Sequence, residues 1–266
     1  MNYPVWDLPV LGAGLVVAII AVFHVLVSHF AIGGGVFLFA AEWWAGRLVR
    51  SGRPEDGLRV REFLHRYATF FLVFTTVFGA MTGVGIWFAI ALASPEATSL
   101  LIHQFVFAWA TEWVVFLVEL SLLYLYYYGW KHNRREDQIF LAGAYFAVSW
   151  FSLFIINGIL SFMLTPGGWT LENRDLAAAF FNPSYWPSLV LRSVTMGLIG
   201  GIGGILATVL TGQAVITAAE QAILATPGSI GDKLMAAMQA ARQMGGDGRC
   251  SCSATAPTSC GAPPAS

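Results

Sequence analysis

Five ionisable residues sit in runs that are otherwise apolar: His24 and His29 in "AVFHVLVSHFAIGGGVF", Glu112 and Glu119 in "ATEWVVFLVEL", and Arg192 in "PSLVLRSV". A neutral imidazole is an axial ligand for haem iron, and a carboxylate ligates iron or relays protons. A guanidinium stays protonated and pairs with an anion. Glu119 follows Glu112 by seven residues, two helical turns or about 10 Å on one face. His24 and His29 differ by five, so their rings are expected to point in different directions and not to share a ligand. For His29 a hydrogen bond to a neighbouring helix is expected, and for His24 with Glu112 cofactor or proton chemistry. His65, beside Arg66, reads as solvated at an interface. His103 in "SLLIHQF" reads as an interfacial histidine within reach of a quinone headgroup.

Placing such groups takes a particular environment. Hydrophobic residues make up 57% of the 266 and charged residues 11%, and mean hydropathy is +0.67. A soluble domain carries about a quarter charged residues, so this chain lacks the polar surface to cover itself in water. Five apolar runs, about 12–45, 67–93, 104–130, 139–164 and 187–213, each reach the roughly 20 residues a spanning helix needs. A helix satisfies every backbone group within one segment, so these runs are expected to be helices rather than barrel strands. The fold class is therefore an all-α membrane protein, a bundle of about five transmembrane helices.

Basic residues orient the bundle. The first connection holds Arg47, Arg50, Arg53, Arg59, Arg61 and Arg66, and the third holds Lys131, Arg134 and Arg135. Positive loops stay cytoplasmic, which puts the N-terminus outside, with Trp43, Trp44 and Trp130 as inner interfacial anchors. On this topology Glu112 lies about 12 Å deep and Arg192 roughly 8 Å deep from the outer side, with His24 at a similar level. "AIGGGVF" at 31–37 and "GAMTGVG" at 79–85 supply small residues, which permit either close helix packing or the approach of a flat macrocycle; for the glycines alone, packing is the expected use. No signal peptide is evident. Residues 1–213 read as the helical bundle, 214–244 as an amphipathic helical segment, and 245–266 as a disordered tail whose abrupt change of character suggests a truncated or frameshifted end. Cys250, Cys252 and Cys260 all fall in that tail, and no C-x-x-C-H haem-attachment motif occurs.

Over residues 15–200 the chain resembles the N-terminal part of the cytochrome bd quinol oxidase large subunit, or a bd-like relative. The stretches that carry the resemblance are, in order, "AVFHVLVSHFAIGGGVF", "FGAMTGVG", "ATEWVVFLVELSLLYLYYYGW", "INGILSFMLTPGGW" and "FNPSYWPSLVLRSV". It implies that His24 is a haem-ligating histidine of the oxygen-reactive site, and that Glu112 and Glu119 correspond to two helix-3 acids tied to haem binding and proton delivery. The spacing of those acids here is one less than in the family. Where the family has a histidine ligand of low-spin haem b near the start of helix 5, this chain has Arg192, a partner for a haem propionate or for Glu112.

The resemblance thus implies a haem-binding membrane subunit of a bd-type quinol oxidase or related respiratory complex, moving electrons from quinol toward oxygen. The cofactor is b-type and/or d-type haem, with His24 on the iron, Glu112 and Arg192 around it, and Glu112 and Glu119 as the catalytic acids. Implied partners are quinol, further membrane subunits supplying missing helices, cytochrome c as another electron partner, and the lipid bilayer, but no nucleic acid. The implied location is the bacterial inner membrane. Two other readings stand beside it: a bd-like quinol dehydrogenase that does not reduce oxygen, and a haem-free scaffold or proton-coupled transporter whose His24–Glu112–Arg192 cluster binds a proton or small ion.

Overall fold

A computed structural model of the chain describes residues 5, 12–225 and 227–244. The tail from 245, its three cysteines, and most of the first eleven residues lie outside the described residues. All the regular structure described is helical: α1 (Gly12–Arg50), α2 (Pro54–Ala93), α3 (Pro95–Gln104), α4 (Val106–Tyr128), a 3-10 turn (Gly129–Lys131), α5 (Arg135–Leu164), α6 (Leu176–Phe180), α7 (Tyr185–Ala225) and α8 (Ile230–Met244). Five of these are long and apolar enough to cross a membrane, namely α1, α2, α4 with its 3-10 turn, α5 and the Tyr185–Leu210 part of α7. The protein is a multi-pass, all-helical membrane protein. It divides into two units, Met1–Gly212 and Gln213–Ser266.

The arginine-rich connection between the first two spans is helix, not loop. α2 begins at Pro54, well before the apolar run at 67. Pro at the first turn, followed by Glu55 and Asp56, gives the start a preset φ and charges that suit a helix N-terminus. Only Ser51–Arg53 turns the chain. Gly52 takes φ +81°, Arg53 N donates to Leu48 O at 3.0 Å and Gly52 N to Val49 O at 3.2 Å, which closes the last turn of α1 with a left-handed glycine cap. The arginines therefore ride on rigid helix ends.

One of them meets a residue that hydropathy alone hides. Glu42, the sole acid in the run 12–45, is 0% exposed. Tyr126 donates to its Oε1 at 3.1 Å, and Arg61 Nε lies 3.7 Å from its Oε2. Arg61 also lies over Trp130, 4.9 Å from the ring centroid. This polar knot ties α1, α2 and α4 together at the arginine-bearing end. His65 is not free in solvent there, since its ring stacks on Trp130 at 4.9 Å and on Tyr127 at 5.6 Å.

The glycines of 33–35 each serve a close approach. A Cβ on Gly33 would lie 2.8 Å from Gly200 Cα, and one on Gly35 would lie 2.8 Å from the Tyr145 ring. Gly34 is covered by Phe71 and Tyr67. Backbones of α1 and α7 thus touch at Gly33 and Gly200, as small residues allow in membranes. The expectation of packing holds for this stretch. It does not extend to 79–85, where a Cβ on Gly79 meets only Val27 Cγ1 at 3.9 Å and one on Gly83 meets His24 Cε1 at 3.3 Å.

Candidate functional site

Within the unit Met1–Gly212, α1, α2, α4, α5 and α7 enclose a cavity of about 550 Å³, and His24, His29, Glu112, Glu119 and Arg192 all line it. The volume is in the range of small-molecule and cofactor sites. The walls between these groups are mostly apolar or aromatic, with Gly79, Gly83 and Trp87 along one face of α2 and Trp109 and Trp113 from α4. A side chain would be accommodated at Gly79, whereas at Gly83 a Cβ would press on the His24 ring at 3.3 Å, so the smallness of Gly83 gives the imidazole its room.

Each polar group has its own anchor. His24 Nδ1 lies 3.0 Å from Thr82 Oγ1 on α2. His29, 3% exposed, donates from Nδ1 to Val25 O at 2.7 Å, on its own helix rather than a neighbouring one as expected. A carbonyl only accepts, so Nδ1 of His29 carries the proton and Nε2 of its neutral form has the lone pair. Although five residues apart, the two rings face one cavity at levels about 7.5 Å apart along the helix. Glu112 Oε1 accepts from Ser152 Oγ at 2.5 Å. Glu119 shares the cavity wall with Ser149 and Tyr145 of α5, whose hydroxyls donate to Tyr145 O at 2.8 Å and Ala31 O at 3.3 Å.

Arg192 is held by a relay. Its Nε donates to Ser188 Oγ at 3.2 Å, Ser188 Oγ donates to Asn157 Oδ1 at 2.7 Å, and Asn157 Nδ2 donates to Tyr185 O at 2.9 Å. Among the described residues it forms no ion pair, so pairing with Glu112 is not what the structure adopts. A cation at membrane depth without a carboxylate is costly, and the relay spreads that cost over neutral dipoles. Ser188→Ala is expected to cost about 2 kcal/mol, because a hydrogen bond to a charged group is lost. It would be read as a lower unfolding midpoint in detergent; an unchanged midpoint would mean that the relay bears no load.

Two buried polar atoms at the cavity have no hydrogen-bond partner among the described residues: Trp109 Nε1 and Glu112 Oε2. Orphans of this kind in a native fold call for a water, ion or ligand. Reading the sequence by ionisable residues missed Trp109, Thr82, Ser149 and Ser152, because neutral hydroxyls and an indole in an apolar run look like ordinary helix content. Their one visible signal is periodicity: Ser149 and Ser152 are three apart and so share a helix face.

Residues 13–243 match the family described as cytochrome bd terminal oxidase subunit I. The chain belongs to that family. Among solved structures it is similar to the bd oxidase from Geobacillus thermodenitrificans, with a TM-score of 0.59 and 18% sequence identity over 88% of this chain and 51% of that one. At this identity the likeness is one of fold, and the chain spans about half the length of the solved relative. No curated protein matches the chain. Family membership gives the ordered stretches a common origin: the helix-1 histidine, the helix-2 glycines Gly79 and Gly83, and the helix-3 acids converge on one cavity of a bd-type fold.

Proposed function

We propose that the cavity is a haem site of a bd-type respiratory oxidase subunit, with His24 as the iron ligand. The observation that carries this reading is the convergence of an imidazole, two carboxyls and a guanidinium on one apolar cavity in a chain of this family. The residues present fit the group: an imidazole nitrogen for iron, room along the glycine face of α2 at Gly79, aromatic walls for a flat macrocycle, an orphaned indole N–H, and a cation for a propionate. Bound there, a b-type or d-type haem supplies one-electron and oxygen chemistry.

The chain's own residues do the rest. His24 anchors the iron, and Arg192 on its relay neutralises a carboxylate of the cofactor. Glu112 and Glu119 hold and pass protons, Glu112 braced by the Ser152 hydroxyl of α5. The walls exclude water, which strengthens these electrostatic interactions. In the proposal electrons come from quinol, the N-terminus faces outside with the arginine-bearing helix ends cytoplasmic in the bacterial inner membrane, and a further membrane subunit completes the complex. The alternative of a bd-like quinol dehydrogenase shares the haem site and differs only in the fate of the electrons.

The test is a reduced-minus-oxidised visible spectrum of the protein purified with its native partners, alongside His24→Ala. Haem bands in the wild type that fall several-fold in the variant are expected. A colourless wild type would sink the reading and leave a proton or small ion as the cavity's ligand. Oxygen uptake with reduced quinol then separates oxidase from dehydrogenase.

A further inference from the structure

The His24 imidazole is held by two neighbouring residues of α2, and their hydrogen-bond logic decides which ring nitrogen is available. Thr82 Oγ1 lies 2.6 Å from Phe78 O, one turn back on α2. A carbonyl cannot donate, so the single hydroxyl proton of Thr82 is spent there. Its contact with His24 Nδ1 at 3.0 Å therefore has the imidazole donating and the hydroxyl accepting. The proton sits on Nδ1, and Nε2 of the neutral ring carries the lone pair. Gly83, the next residue, lies against the same ring: a Cβ there would stand 3.3 Å from His24 Cε1 and 3.8 Å from Nδ1. The ring is thus gripped at Nδ1 by Thr82 and given its space by Gly83.

We infer that Thr82 is the positioning residue of this site: through Phe78 O it fixes the Nδ1-protonated tautomer and the orientation of His24, and so presents Nε2 as the one metal-binding nitrogen. This rests on the haem reading above. A ligating histidine usually donates its other N–H to an oxygen that sets tautomer and ring angle, and loss of such a partner costs about 10–100-fold in metal affinity. A hydroxyl already committed to a backbone carbonyl acts only as an acceptor, which is what a neutral imidazole ligand needs. A threonine merely bonded back to its own helix turn would account for the 2.6 Å contact but not for the pairing across to α1.

The test uses the protein purified with its native partners, in wild type, Thr82→Val, Thr82→Ser and His24→Ala, stripped of cofactor and titrated with haem. Thr82→Val keeps the shape and loses the acceptor; it is expected to weaken haem binding at least 10-fold and to shift the absorption bands and midpoint potential of what still binds. Thr82→Ser keeps the hydroxyl and should restore affinity, bands and potential to wild type. Gly83→Ala retains the hydroxyl but presses on Cε1, and should shift the bands, whereas Gly197→Ala, away from the cavity and with nothing within 4 Å of its Cβ, should not. Wild-type affinity, bands and potential in Thr82→Val, with haem lost in His24→Ala, would overturn the role of Thr82 and leave the haem reading intact. Haem unchanged in His24→Ala would overturn both. Should Thr82→Val fail to fold, Gly83→Ala against Gly197→Ala decides; identical bands in the two would refute the grip on the ring.

Discussion

Gly200→Val is expected to destabilise the bundle by about 3 kcal/mol. A Cβ at 200 would fall on the backbone of Gly33, and one at 33 within 2.8 Å of Gly200 Cα. Both obstacles are main chain, so no rotamer change relieves them and the helices must part. Parting also strips the neighbouring contacts in which Phe30 covers Gly203 and Phe37 covers Gly204. Gly201→Val is the control, since nothing lies within 4 Å of a Cβ there. Thermal unfolding in detergent is the measurement; equal midpoints for the two variants would refute a load on this crossing. The site should suffer too. His24 lies nine residues before Gly33, and Arg192 eight before Gly200. The crossing therefore sets the separation of the imidazole on α1 from the guanidinium on α7 at two turns' distance.

Arg61→Leu is expected to cost a similar amount, about 3 kcal/mol, because removing one partner strands a buried charge. Glu42 is fully buried, and no hydrogen bond reaches its Oε2 among the described residues; Arg61 Nε at 3.7 Å makes its ion pair, with Arg135 as a second, more distant cation. Part of the loss is the contact of Arg61 with Trp130, worth about 1 kcal/mol. A double-mutant cycle separates the two terms. The pair Glu42→Leu with Arg61→Leu should be markedly more stable than Arg61→Leu alone, since apolar replacement of both partners leaves no charge stranded. Additive losses in the double variant would mean that the two groups do not interact.

What each residue does was legible to different degrees. The number and type of the spans followed from hydropathy, because a segment in hydrocarbon must satisfy its own backbone bonds and so declares itself helix within its own length. The identity of the polar cavity groups was also open to reading. His24, Glu112, Glu119 and Arg192 stand out since an ionisable side chain in an apolar run is expensive wherever it points. The start of α2 was not legible from hydropathy: Pro54, Glu55 and Asp56 launch a helix through a stretch that its arginines made look like loop.

Tertiary structure alone decided which groups meet. Rise per residue gives depth along one helix, but rotation and offset between helices depend on where backbones touch, and that is set by Gly33 against Gly200. Hence His24 and His29 face one cavity despite their five-residue spacing, while Arg192 rests on Ser188 instead of Glu112. The same crossing logic separates glycines that look alike in sequence: those at 33–35 carry helices and aromatic rings in contact, whereas Gly83 lies against an imidazole and Gly79 beside it meets only Val27. The burial of Glu42 and the tautomer of His24 belong to this second kind of information. Both depend on one donor or acceptor from another helix, Tyr126 for the first and Thr82 for the second, and no local pattern encodes a partner some sixty to eighty residues away.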